Sequence, residues 1–143
     1  MDRLIALVQA LLVATGISAS AQEPQAPAAP VARPVSLARF VPTAEERTLG
    51  FYTSINPDCT QTDRTVVRII AQPEHGTASF HNGDMYTSFP RENPRSACND
   101  KRIPGALVKY KSEDGYIGGD TFRALIIYPD GTATEATYNI VVR

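Results

Sequence analysis

The chain has only two imidazoles, His75 and His81, and a carboxylate, Asp84, follows three residues after the second. Two ring nitrogens and a carboxylate are ligand types that suit a divalent transition metal. On a strand of period two, the histidines share a side only where no turn or bulge intervenes. Surface histidines beside a hairpin are the plainer reading, and a small metal-dependent hydrolase built on His75, His81 and Asp84 is kept as an alternative. No G-x-S-x-G elbow positions a serine nucleophile. No phosphate-cradling loop or dinucleotide fingerprint occurs. Acidic neighbours such as Glu45-Glu46 and Glu113-Asp114 read as solvated, with no pair set apart for proton transfer. The expectation is a non-enzyme with no catalytic residue, no bound metal and no cofactor.

Cys59 and Cys98 are the only cysteines. An even count in an exported chain favours a disulfide over free thiols. Two Cys without a suitably spaced His make a poor zinc set. Closing a loop of about 40 residues adds roughly 4 kcal/mol by the chain-entropy argument, a large share of a domain's net stability. Around Cys98, residues 89–105 (FPRENPRSACNDKRIPG) gather Arg91, Arg95, Lys101 and Arg102 against Glu92 and Asp100. A long loop tied to a rigid scaffold is where recognition is often carried. Forked guanidinium donors match carboxylate and sulfate. These four cations are the candidate ligand-binding loop, for an anionic polysaccharide or an acidic protein patch. A solvated loop whose charges serve solubility is the plainer reading.

The N-terminal residues suggest export. A charged start, an apolar run from Leu4 to Ile17 and the small residues Ala19 and Ala21 fit a secretory signal spanning 1–21. The apolar run is short for a bilayer span, so no membrane span is expected after cleavage. Residues 22–36 (QEPQAPAAPVARPVS) are rich in Pro and Ala and read as an extended, polyproline-like spacer. Their proline spacing also suits a ligand for a proline-binding groove, though spacer is the plainer reading. Residues 37–143 then form one domain. A formal net charge of −1 argues against broad nucleic-acid or anionic-membrane binding.

Alternation places the strands that must hold these residues. In the last, Ala136, Tyr138, Ile140 and Val142 share a face. Before it, Phe122, Ala124, Ile126 and Tyr128 do the same. Leu125 and Ile127 on the opposite side predict cover on both faces. Pro129-Asp130-Gly131 joins the two as a hairpin. Further strands are expected at 106–111, 66–71, 49–55 and 35–41. Short strands at 76–81 and 84–89 flank an Asn82-Gly83 hairpin turn, and Thr43–Glu46 carries a weak helix-start pattern.

The segments Pro73-Glu74-His75-Gly76-Thr77, Val108-Lys109-Tyr110, Gly115-Tyr116-Ile117-Gly118-Gly119-Asp120-Thr121-Phe122 and Tyr138–Val142, in that order, resemble bacterial cadherin-like and immunoglobulin-like repeats. The resemblance covers 64–143. Ser112 stands where such repeats usually have a proline, and a single copy offers no junction at which calcium would be held. The resemblance implies an all-β, immunoglobulin/cadherin-like antiparallel β-sandwich of about seven strands, here with one disulfide. Tyr110, Gly115, Tyr116, Gly118, Asp120 and Phe122 would form its structural corner. In that corner Asp120 accepts backbone N–H bonds and Tyr116 lays its ring on the core edge.

The functional expectation is an exported, non-enzymatic module for binding or assembly in the bacterial cell envelope, periplasmic or secreted. Its partner would be an envelope protein or a polysaccharide. A lectin-like module, binding sugar at exposed aromatics such as Tyr86 or Phe89, is the other alternative.

Overall fold

The computed structural model describes residues 31–143. The expected signal and the spacer as far as residue 30 lie outside the described residues. The elements are β1 (Arg33–Val41), β2 (Glu46–Tyr52), β3 (Val66–Ala71), β4 (Gly76–Tyr86), β5 (Arg102–Ser112), β6 (Gly118–Ile127) and β7 (Ala133–Val142). A single 3₁₀ turn, Ser96–Cys98, lies between β4 and β5.

Alternate residues of the two C-terminal strands point inward, as period two requires. Phe122, Ala124, Ile126, Ala136, Tyr138, Ile140 and Val142 are all buried. One sheet has the order β1-β7-β6-β3 and the other β2-β5-β4. The fold is therefore a seven-stranded, two-layer sandwich. The orders β7-β6-β3 and β2-β5-β4 correspond to the G-F-C and B-E-D sheets of the immunoglobulin arrangement. One edge departs from the antiparallel expectation, because β1 runs parallel to β7 over nine residue pairs from Arg33↔Thr134 to Val41↔Val142. The reason is local. After β1 the chain turns through Thr43-Ala44, with Ala44 at φ 62°, and crosses to the other sheet. No helix follows Thr43.

Between the layers an aromatic row fills the core. Tyr110 and Phe122 stack at 6.1 Å, and Phe122 and Tyr138 stack at 4.5 Å. The Tyr138 hydroxyl meets that of Tyr52 at 2.6 Å.

Four strands differ from expectation. β1 begins at Arg33, inside the expected spacer, because Val35 and Leu37 pack against the core and an edge strand tolerates Pro34. β2 covers 46–52, with a bulge between Thr48 and Gly50. The Asn82-Gly83 hairpin does not form. β4 instead runs unbroken beneath β5 in eleven register pairs, with Asn82 opposite Ala106 and Gly83 opposite Gly105. Pairing decided this against the turn signal. β5 starts upstream at Arg102 and satisfies Asp84–Tyr86, which a hairpin would have turned away. Pro104 sits in β5 at little cost, because pairing with β2 stops at Ala106. Its carbonyl accepts from the Thr53 hydroxyl at 2.8 Å. Among the described residues no further layer covers the outer face of β6. Leu125 and Ile127 are half-buried there, opposite Glu135 and Ala133 of β7.

Candidate functional site

The topology sorts the loops into two groups. The connections 42–45, 72–75 and 113–117 lie at one end of the sandwich. The connections 53–65, 87–101 and 128–132 lie at the other.

The first end holds the glycine-rich corner, and its chemistry is structural. Asp120 is buried and accepts from the backbone of Glu74 and His75, each at 3.1 Å. It also accepts from the Tyr110 hydroxyl and from the Thr121 N–H, each at 2.8 Å. Burial, reinforced by the Asp120 carboxylate, pushes the Tyr110 phenol well above its ordinary value. The Tyr116 ring stacks on His75 at 4.2 Å, and its hydroxyl donates to Gly119 O at 2.6 Å. Gly118 takes φ 150°, a conformation side chains resist, and a Cβ there would also meet that hydroxyl at 2.8 Å. Gly115 takes φ 78° in the turn.

The imidazoles do not converge. His75 is held against Tyr116 before β4 begins, whereas the His81 ring reaches Ser79 Oγ at 3.2 Å. Asp84 lies an odd number of residues from His81 on a continuous strand, so their side chains leave opposite faces. Among the described residues no group of three His, Cys, Asp or Glu side chains is placed to hold a metal ion.

The second end is covalently stapled. Cys59 and Cys98 form a disulfide, with Cα atoms 5.5 Å apart. Cys98, Ile55 and Ile103 make a small second core, with Cys59 and Phe89 packed against it. Asn99 clamps the loop from inside. Its Oδ1 accepts from Thr87 Oγ1 and Phe89 N, and its Nδ2 donates to Phe89 O, each at 2.9 Å. A turn carries Cys59 at φ 71° and is closed by Asn56 N to Thr60 O at 2.8 Å. Asp58 caps it, and bonds from Thr60 hold that exposed carboxyl below its ordinary range, with Lys101 adding a smaller pull.

The four candidate cations have different roles. Arg95 is half-buried, and its Nε donates to Ile55 O, so it ties the two loops together. Arg102 belongs to β5 and donates to Asp84 O at 2.8 Å. Arg91 and Lys101 are exposed, and among the described residues neither forms a side-chain hydrogen bond or ion pair. Across the three connections Arg64, Arg91, Arg95 and Lys101 face Asp58, Asp63, Glu92, Asp100 and Asp130. The stapled end is thus balanced in charge rather than basic.

A groove of about 460 Å³ opens beside this end, along the β2 edge. Arg39, Tyr52, Met85, Tyr86, Phe89 and Tyr128 line it. Arg39 reaches across from β1, its Nε donating to Leu49 O at 3.0 Å. Burial raises the Tyr52 and Tyr128 phenols above their ordinary value. Sequence reasoning missed Arg39, Tyr52, Tyr128 and Asn99. The groove residues come from strands far apart in the chain, and no local pattern joins them. Asn99 had only its position beside Cys98 as a signal.

The protein is a disulfide-stapled, two-sheet β-sandwich of immunoglobulin-type strand order. Compared with known proteins, it matches no family model, no curated protein and no solved structure. Among the described residues no helix is long and apolar enough to cross a membrane.

Proposed function

We propose that this chain is an exported, non-enzymatic binding or assembly module of the cell envelope, and that its stapled end carries recognition. The observation that supports this is a second core around Cys98, separate from the main core. A disulfide, an asparagine clamp and Arg95 hold two loops in one shape, and pre-organised loops lose less entropy on binding. The disulfide also fits an oxidising compartment. Because the end is charge-balanced, net positive charge is not what selects the partner. Arg91 and Lys101 act there as individual donors beside an aromatic groove. Phe89 is engaged in the second core, which leaves Tyr86, 59% exposed, as the freest aromatic at this end.

The test is crosslinking and affinity capture from the native envelope with three proteins. Arg91→Glu together with Lys101→Glu should lose the captured partner, while Glu113→Lys at the opposite end should retain it. Retention by the first variant, or loss by the second alone, would overturn the assignment. Hydrolytic activity abolished by His75→Ala would replace it with the enzyme reading.

A further inference from the structure

The groove beside the stapled end has a fitting occupant in the same chain. Pro24, Pro27 and Pro30 recur at intervals of three. A polyproline helix has three residues per turn, so all three prolines would project from one face. Proline-rich segments of this kind dock on aromatic-lined grooves, which recognise a backbone already extended and low in entropy. Tyr52, Tyr86, Phe89 and Tyr128 provide such a lining.

Position and charge agree with this pairing. The segment joins the sandwich at β1, whose first residue, Arg33, lies opposite Thr134. Tyr128 closes the neighbouring hairpin through its bond to Thr132 O at 2.9 Å, so the attachment point and the groove share one end of the molecule. From there β1 reaches Arg39, its one residue in the groove lining, over six residues, about 20 Å at strand rise. Pro30 back to Glu23 is seven residues, about 22 Å at polyproline rise. Among the described residues Arg39 is the one charged residue lining the groove, and Glu23 carries the one charged side chain of 22–30. A segment running back antiparallel to β1 at these spacings would bring Glu23 to Arg39 and its prolines to the tyrosines.

We propose that residues 22–30 dock in this groove of their own molecule through the face carrying Pro24, Pro27 and Pro30. The groove is then a self-occupied site with a proline-binding chemistry. This goes beyond the recognition role of Arg91 and Lys101 and does not rest on it.

The test uses the full chain, a variant with Pro24→Ala, Pro27→Ala and Pro30→Ala, and a synthetic peptide of residues 22–30, followed by the NMR ring signals of the tyrosines. Tyr86 and Tyr128 should shift between chain and variant, while Tyr110 and Tyr116 stay in place. The peptide should restore those shifts in the variant and act at least tenfold more weakly on the unmodified chain. Adding Tyr86→Ala to the variant should weaken the peptide's effect about tenfold. Identical Tyr86 and Tyr128 signals in chain and variant, or equal peptide effects on both, would overturn the proposal. So would shifts that fade on dilution, which would assign the segment to a second copy. A soluble glycan that moves these signals while the peptide does not would also overturn it.

Discussion

Asp120 shows how one side chain can organise several elements. Its carboxylate takes donors from the β3–β4 turn, from its own strand and from Tyr110 on β5 of the facing sheet. Asp120→Ala leaves those donors unpaired in a buried place and should cost about 3 kcal/mol or more, read from urea denaturation. Tyr110→Phe removes one of these bonds and should cost about 1 kcal/mol. A catalytic Asp120 would instead lose activity with little change in the denaturation midpoint. The role of Asp120 as an acceptor in the corner was legible from its place after Gly118-Gly119. Two of its partners, Glu74 and His75, were not, because they arrive from a turn more than forty residues away.

At the level of elements, Gly83 and Gly105 distinguish the continuous strand from the hairpin that Asn82-Gly83 suggested. Neither takes a positive φ. A Cβ on Gly83 would meet only the movable tip of Leu107, 2.8 Å away. A Cβ on Gly105 would strike the Phe51 ring at 2.4 Å and Tyr52 O at 2.7 Å. Gly105→Ala should therefore destabilise by about 1–3 kcal/mol, whereas Gly83→Ala should change stability by under about 1 kcal/mol in the same thermal melts. A hairpin would reverse that order, since Gly83 would then need a conformation that alanine resists. The disulfide acts at this level too. Replacing Cys59 and Cys98 with Ser should lower stability by about 2–4 kcal/mol. Hydrogen exchange should quicken within 87–101 while β6 and β7 keep their protection, because the two cores are separate. Uniform quickening across the sandwich would show the cores to be one unit. Strand identity was readable where alternation was strong, in β6 and β7. It misled at β4, where β5 alone decides whether the chain turns or continues.

At the scale of the whole molecule, burial raises four phenols, those of Tyr52, Tyr110, Tyr128 and Tyr138. The folded state therefore holds these protons more tightly than the unfolded chain does. Their contribution to stability is complete below the usual phenol value near 10 and is lost as pH rises through the higher folded values. Stability should stay level up to about pH 10 and fall steeply beyond it, with the four phenols ionising in step with loss of structure. Tyrosinate absorbance followed beside circular dichroism checks this, and ionisation of all six tyrosines before any unfolding would contradict it. The sandwich as a whole was foreseeable from period-two patterning and turn residues. The groove was not, since it exists only where β1, β2 and the segment after β4 come together.

The parallel pairing of β1 with β7 has a mechanical consequence. Arg33 and Arg143 lie at opposite ends of two strands that run side by side in register. A force pulling these two residues apart would act lengthwise along the seam, loading its nine paired positions together rather than peeling them one by one. Tethered in that way, the domain would resist stretching far better than its modest size suggests.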